Sequence, residues 1–194
     1  MTAPIKGLAL APVELTRLPT VSLHGPVDDG MLAMWISALA AARVGEGTLV
    51  LELSTTGGDA DVGRRIADDV RLFQRQTGRR ALFLGRATVY SAGATIMAGF
   101  AAPDRWLSVG TSLMIHGRKL SKCLNMDGPL RSERAKVEAL LAEIDEGLVL
   151  ERAGFLQLVE GSKLTIEQCE LNTAGDWYLT ADEALAQGLI GGIL

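Results

Sequence analysis

The run TLVLELS, residues 48–54, is the segment that most restricts how this chain can fold. It is almost continuously apolar and rich in residues that favour strands. A strand with one face in water alternates apolar and polar residues, whereas an unbroken apolar run is typical of a strand covered on both faces. Such strands occur in largely parallel sheets that alternate with helices along the chain. The run therefore predicts an α/β fold.

The segments on either side repeat this alternation of strand and helix. Further strands are predicted at 20–27, 80–85, 105–110 and 112–116, and a helical pattern follows each of the first three strand runs. Residues 1–18 have little periodicity and are predicted to form an N-terminal arm. The remaining residues, 19–194, have a length that suits one domain. A long, charged helix is predicted within this domain over 128–154.

Composition excludes several classes of function. The net charge of −4 disfavours nucleic acid as a partner, because phosphate binding requires a basic face. No apolar stretch reaches the ~18 residues of a membrane span, and the N-terminal segment is a poor signal peptide. Cys123 and Cys169 have no metal-ligand spacing and are interpreted as free thiols of a reducing compartment. We expect a cytoplasmic protein without a metal or cofactor.

A serine, a histidine and an aspartate lie at the ends of predicted elements. Ser91 precedes a cluster of small residues, Ala92-Gly93-Ala94, which would permit the tight strand-to-helix turn that a nucleophilic serine requires. A serine needs a base to take its proton, and His116 ends the strand SLMIH. Asp176, in AGDWYLT, is a candidate for orienting the imidazole. These residue types at element ends are also common in structural roles, so their positions alone leave both interpretations open.

The pair Gly57-Gly58 stands between a buried strand and an amphipathic helix. Backbone N–H groups at such a junction suit an oxyanion or a phosphate, although a plain tight turn explains the glycines equally well. Asp59 and Asp61 follow directly, and without a histidine nearby we interpret them as helix caps rather than metal ligands. The basic pairs Arg64-Arg65 and Arg79-Arg80 alternate with acids and are interpreted as solvated helix ends.

With these residues placed, the chain from about Val21 to Leu194 resembles the proteolytic subunit of the Clp protease, within the wider crotonase-like fold. The motifs that carry the resemblance are LHGPVDDGM, LELSTTGG, SAGATIMAGFAAPDRWLSVGTSLMIH and GDWYLTADEALAQGLIGGIL. The 25-residue separation of Ser91 and His116 equals the family's spacing and is the most specific of these features. The resemblance implies a spiral of ββα units with a protruding handle helix, here within about 118–165.

Carried over by position, the resemblance implies a serine peptidase. Ser91 would be the nucleophile, His116 the general base and Asp176 the residue that orients the imidazole. The backbone N–H groups of Gly58 and Ala92 would form the oxyanion hole. The substrate would be a peptide or an unfolded protein, cleaved through an acyl-enzyme on the serine.

The chain departs from the family's pattern at four places. Thr56 stands where the family has a proline, and the segment from Gly85 to Ser91 carries about two extra residues, so an ungapped alignment places Val89 at the nucleophile position. The sequence after His116 lacks the family's Gln-Pro and its glycine-rich strand. The N-terminal segment has no clear match to the hairpin that contacts an unfoldase ATPase, so that partner is left open.

Two other functions remain compatible with the sequence. One is a catalytically inactive subunit that keeps the fold for assembly, and the other is a crotonase-type enzyme acting on acyl-CoA. The helix over 128–154 corresponds to the family's handle, and Leu140, Leu141, Ile144 and Leu148 form an apolar stripe along it. That stripe suits either core packing or contact with another copy, and we expect a homo-oligomer because relatives of this fold assemble.

Overall fold

The computed structural model describes residues 10–194, in which a mostly parallel sheet alternates with helices. The strands of this range are β1 (Val21–His24), β2 (Leu49–Thr55), β3 (Ala81–Tyr90), β4 (Arg105–Leu107), β5 (Ser112–Ile115), β6 (Trp177–Thr180) and β7 (Gly192–Ile193). Its α-helices are α1 (Asp29–Val44), α2 (Ala60–Thr77), α3 (Ala92–Met97), α4 (Leu130–Val159), α5 (Ile166–Asn172) and α6 (Ala181–Ala186). The predicted α/β class is confirmed, with β4 shorter than the expected strand.

The strand β3 organises the sheet because it has two different neighbours on one edge. The order β1-β2-β3-β4-β7 is parallel throughout. The first half of β3 pairs with β4, and its last residues, Thr88–Tyr90, pair with β5 instead. β6 then adds to β5 in the antiparallel direction. The carboxyl ends of β2, β3 and β5 consequently meet at one edge, where α/β folds place their sites.

A bulge in β3 absorbs the two extra residues that the sequence carries before Ser91. On β2 the register advances from Leu53 to Thr55, while on β3 it advances from Gly85 to Val89. Ala87 takes a positive φ of 59° inside this bulge. Val89 is completely buried and paired on both sides, so it belongs to the sheet.

The helices pack on one face of the sheet, and a short segment of the N-terminal region covers part of the other. Leu15, in a 3-10 turn over Val13–Thr16, is buried in a small cluster with side chains of β2, β3 and β4: Val50, Leu82, Leu84 and Trp106. Part of the predicted arm is therefore docked on the sheet. Its first nine residues lie outside the described range.

Helix α4 runs five residues further than the predicted end at 154 and divides into two parts. Its last turns carry Phe155, Leu158 and Val159 into the core, whereas most of the preceding residues are exposed. Its 30 residues give a length of about 45 Å. The helix is thus anchored at one end and projects from the domain at the other.

The buried side chain of Arg105 anchors the inner end of α4. Its guanidinium donates to the carbonyl oxygens of Phe100 at 2.8 Å, Leu158 at 2.7 Å, Gln157 at 3.0 Å and Leu189 at 3.3 Å. Burial lowers the pKa of Arg105 to about 10, so the group stays charged at neutral pH. One cation therefore joins β4, α4 and the turn before β7.

The two cysteines lie in different environments. Cys123 is exposed and Cys169 is buried, and burial raises the pKa of the Cys169 thiol to about 11. That thiol is therefore protonated at neutral pH and packs as an apolar group. In the part of the chain that the structure describes, no helix is both long and apolar enough to cross a membrane.

Replacing Arg105 with Met should destabilise the protein by about 3–5 kcal/mol, because four buried carbonyl groups would lose their donor. Arg80→Met is the matched control, since Arg80 is half exposed and pairs with Asp104 at the surface. That variant should lose less than about 1 kcal/mol. Urea denaturation of both variants measures the difference, and equal losses would contradict this role of Arg105.

Candidate active site

The turn from β3 into α3 places the Ser91 hydroxyl at the edge of a cavity. Ser91 has φ 55° and ψ −115°, a conformation that non-glycine residues rarely adopt. Its N–H donates to the Met114 carbonyl of β5 at 2.8 Å. Although Ser91 is the N-cap residue of α3, its hydroxyl makes no capping hydrogen bond. The turn therefore leaves the hydroxyl free of the usual structural task of an N-cap serine.

The two glycines after β2 let the backbone pass directly beside this serine. A Cβ on Gly57 would lie 2.7 Å from the Ser91 Cβ, and Gly57 has a φ of 100° that favours glycine. A Cβ on Gly58 would lie 2.3 Å from the Val27 carbonyl oxygen. The buried Thr55 hydroxyl accepts the Gly57 N–H at 3.0 Å and fixes the start of the turn. Close approach, and not only turn geometry, explains why glycine stands at both positions.

Two backbone N–H groups beside Ser91 have no acceptor among residues 10–194. The hydrogen bonds around Gly58 run from Val27 N–H to the Gly57 carbonyl and from Asp59 N–H to the Val27 carbonyl, and they leave the Gly58 N–H unused. Ala92 is the first residue of α3, so its N–H has no acceptor within that helix. Both residues line the cavity together with Ser91. Unpaired backbone N–H groups beside a serine are the kind of donor that an oxyanion hole uses.

The cavity has a volume of about 420 Å³ and three kinds of lining. Four lining residues are ones that the sequence predicted for the site: Gly58, Ser91, Ala92 and His116. One wall is apolar and comes from α3, β5 and the inner part of α4: Ala94, Thr95, Ala98, Ile115, Leu150, Gly154, Phe155 and Leu158. The rim is charged and comes from α2, α4 and the segment after β5: Asp59, Asp61, Arg64, Arg118, Lys119 and Glu151.

His116 lines the cavity directly after β5, and its ring has a defined tautomer. Its Nδ1 lies 2.5 Å from the Gly117 carbonyl oxygen, and because a carbonyl only accepts, Nδ1 carries the hydrogen. When the ring is neutral, the other nitrogen, Nε2, then has the free lone pair that a general base needs. The second histidine of the chain, His24, is exposed at the end of β1 and does not line the cavity.

Asp176 directly precedes β6, as His116 directly follows β5, but the aspartate is bonded to another partner. The antiparallel pairing of β5 and β6 ends at Ile115 and Trp177, and the next residues in this register are His116 and Asp176. The Asp176 carboxylate nevertheless accepts from Lys119 at 3.4 Å, in a pair whose side chains are 45% and 70% exposed respectively. Asp176 is not among the residues that line the cavity, and its hydrogen bonding does not join it to the imidazole, so the structure does not bring it together with Ser91 and His116.

Residues 117–119, to which the sequence analysis assigned no role, supply the hydrogen-bond partners of both His116 and Asp176. The Arg118 N–H donates to Glu151 of α4 at 2.5 Å, and its guanidinium donates to Asp61 at 3.0 Å. Asp59 accepts two N–H groups at the start of α2, as the predicted helix cap. Among the described residues, no group of acids, histidines or cysteines has the geometry of a metal site.

Arg64 departs from its interpretation as a solvated helix end. The side chain is half buried and lines the cavity, whereas Arg65, its neighbour, pairs with Asp69 on the helix surface. Gly63 packs tightly against Ala92, because a Cβ on Gly63 would lie 2.9 Å from the Ala92 carbonyl oxygen. This part of α2 is therefore next to the site. The sequence signal that could have identified Arg64 is its position directly after Gly63, a small residue on the helix face that packs against the site.

Comparison with known proteins places the chain in a family. The profile of the Clp protease family matches residues 13–194. Among curated proteins, the ATP-dependent Clp protease proteolytic subunit of Paracoccus denitrificans is 26% identical over 176 residues, which cover 90% of this chain and 80% of that protein. Proteolytic subunit 2 of Pseudomonas aeruginosa is 24% identical over 179 residues, covering 92% and 82%.

A solved structure agrees with the sequence matches. A mutant of ClpP1 from Listeria monocytogenes superimposes with a TM-score of 0.69 at 19% identity, covering 90% of each chain. The fold is therefore the ClpP fold, as the sequence predicted. The chain belongs to the Clp protease family.

Proposed function

We propose that this protein is a serine peptidase that cleaves peptides or unfolded proteins through Ser91, His116 and Asp176. The observation that carries the proposal is the positive-φ turn at Ser91, which leaves the hydroxyl uncapped in the same cavity as His116 and the N–H groups of Gly58 and Ala92. A serine that only packed or capped a helix would need neither this conformation nor these neighbours. Membership of the Clp protease family supports the same class of activity.

The reaction follows from the roles of these groups. His116 Nε2 takes the proton from Ser91 Oγ as the oxygen bonds to the carbonyl carbon of the substrate. The carbonyl oxygen becomes negative, and the N–H groups of Gly58 and Ala92 stabilise it. The imidazolium then gives its proton to the leaving amine, which departs and leaves an acyl group on the serine. Water, deprotonated by the same histidine, releases the acid and restores the hydroxyl.

The Lys119–Asp176 pair is too weak to prevent Asp176 from joining this reaction. An exposed pair of this kind contributes about 0.2–1 kcal/mol, and both of its side chains are at least 45% exposed. An imidazolium forming opposite Asp176 offers the carboxylate a stronger partner, because that hydrogen bond is charge-assisted. We therefore propose that Asp176 turns from Lys119 to His116 Nδ1 as the histidine becomes charged, displacing the Gly117 carbonyl.

A catalytically inactive subunit is the second candidate, and the hydrogen bonds that His116 and Asp176 make in the structure favour it. With His116 bound to Gly117 and Asp176 to Lys119, the described structure contains no His116–Asp176 hydrogen bond. A subunit that served only for assembly would keep this arrangement permanently. The two candidates differ in whether Ser91 reacts with an electrophile.

The exposed part of α4 supports a homo-oligomer. Leu141, Ile144 and Leu148 follow one another at helical spacing, and Leu141 and Leu148 are more than half exposed. A stripe of this size on a projecting helix is typical of a contact surface. We propose that it packs against another copy of this chain. Because the curated relatives are named ATP-dependent, an ATPase that delivers unfolded substrate is the further partner we propose.

Ser91 should react covalently with a fluorophosphonate probe if the proposal is correct, because the probe requires a serine activated by a base. Labelling should be lost in Ser91→Ala and in His116→Ala, and it should persist in His24→Ala, which alters the other, exposed histidine. Circular dichroism establishes that each variant is folded. An unlabelled, folded wild-type protein would favour the inactive subunit.

Substitution of Asp176 and Lys119 separates a working carboxylate from a permanently misplaced one. Asp176→Asn should slow labelling by roughly a hundredfold or more, since the imidazolium loses its counter-charge. Lys119→Met should change the rate by less than about fivefold, as a weak surface pair implies. A time course of labelling, quenched at set intervals, gives both rates. An unchanged rate in Asp176→Asn would remove Asp176 from the mechanism.

The oligomer proposal predicts a change in mass when charge is placed on the stripe. The double variant Leu141→Glu and Leu148→Glu should form a smaller species than the wild type, because burying two carboxylates in the contact is unfavourable. Ala142→Glu, on an exposed position of the same helix, is the control and should keep the wild-type mass. Light scattering after gel filtration measures all three. A monomeric wild type would contradict the proposal.

A further inference from the structure

All but one of the charged residues on the rim of the cavity are bonded to another residue of the described range. Its acids are engaged within the chain: Asp59 by the first N–H groups of α2, Asp61 by the Arg118 guanidinium, and Glu151 by the Arg118 N–H. Two of its cations, Arg118 and Lys119, are paired with Asp61 and Asp176. The third cation, Arg64, makes no hydrogen bond or ion pair with residues 10–194.

The neighbours that usually pair with a helical arginine are already occupied. Acids three residues before and four residues after Arg64 lie on the same helix face, and these are Asp61 and Asp68. Asp61 binds Arg118 at 3.0 Å, and Asp68 binds Arg71 at 3.0 Å. Arg71 is itself held by the Ala98 carbonyl and the Gln157 side chain. The nearest acids on the helix are therefore bonded to other arginines, and Arg64 has no ion-pair partner of its own among residues 10–194.

The position of Arg64 relates this free cation to the reacting serine. The preceding residue, Gly63, packs against Ala92, one of the two proposed oxyanion donors. Arg64 is half buried and lines the same cavity as Ser91, together with apolar residues of α3 and α4. Apolar surroundings strengthen an ion pair because they reduce its screening by water.

We infer that Arg64 binds a carboxylate of the substrate and makes this protein prefer acidic peptides. The guanidinium offers a planar pair of donors that matches a carboxylate, and each acid of the rim already accepts from another residue. The carboxylate could come from a Glu or Asp side chain near the cleaved bond or from the C-terminus of the peptide. The inference rests on the proposed function, since it takes the cavity as the peptide-binding site.

Peptide binding to Ser91→Ala protein tests the inference without requiring turnover. The probes are hexapeptides of Ala and Leu that carry a dansyl group at the N-terminus and an amide at the C-terminus. In each pair of peptides, one has a Glu and the other a Gln at the same position, and the pairs differ in that position. A second set carries Gln and ends in either a free carboxylate or an amide. Fluorescence anisotropy gives the dissociation constants. Arg64→Gln is added to the Ser91→Ala background, and Arg75→Gln is the control, because Arg75 is an exposed residue of the same helix outside the cavity.

We expect at least one acidic peptide to bind about tenfold more tightly than its neutral partner, as a charge-assisted pair in a partly buried site implies. This difference should vanish with Arg64→Gln and persist with Arg75→Gln. Preference within the Glu set identifies a side-chain carboxylate, and preference within the second set identifies the C-terminus.

Equal binding of the members of every pair, including no binding of either, would overturn the inference, and so would a preference that survives Arg64→Gln. Fluorophosphonate labelling of Ser91 tests the proposed peptidase activity separately from these binding measurements. Labelling without an acidic preference refutes the role of Arg64 alone, whereas an acidic preference without labelling leaves a binding protein that is not a peptidase.

Discussion

The backbone turn between β3 and α3 is the constraint on which the site depends. A non-glycine residue at positive φ costs on the order of 1–3 kcal/mol and persists only where the surroundings enforce it. Here the Met114 carbonyl holds the Ser91 N–H, and Gly57 packs against the Ser91 Cβ from the other side. The same two contacts bring β5, and with it His116, beside the serine, while Gly58 follows Gly57 into the cavity. One strained residue thus brings the Ser91 hydroxyl, His116 and the N–H groups of Gly58 and Ala92 to one cavity.

The other half of the site comes from a helix that is mostly outside the domain. The inner end of α4 supplies the apolar wall and Glu151, and Arg105 fixes that end through the carbonyls of Gln157 and Leu158. Glu151 in turn positions the segment after His116 by accepting the Arg118 N–H. Because the outer part of α4 carries the proposed contact stripe, assembly and the shape of the cavity involve the same helix.

Sequence patterns predicted most of the fold, because buried strands leave a clear periodicity, and four of the five residues proposed for the site, Gly58, Ser91, Ala92 and His116, line one cavity. The choice of Ser91 over Val89 depended on allowing two extra residues, and the bulge at Ala87 is where the structure accommodates them. The partners of Asp176 and His116 were not predictable, since the segment after His116 has no periodicity and is placed by single contacts with α2 and α4. Arg64 was misinterpreted for a related reason: alternating charges indicate a solvated face only when no neighbouring element covers it.

The crystal structure of the protein after reaction with a peptide boronate is the measurement that tests the central claim most directly. The account predicts a tetrahedral boron bonded to Ser91 Oγ, with one oxygen about 2.7–3.1 Å from the nitrogens of Gly58 and Ala92. It also predicts that the Asp176 carboxylate has left Lys119 for His116 Nδ1. A boronate bound elsewhere, or an oxygen that contacts neither N–H group, would contradict the assignment of this turn as the catalytic centre.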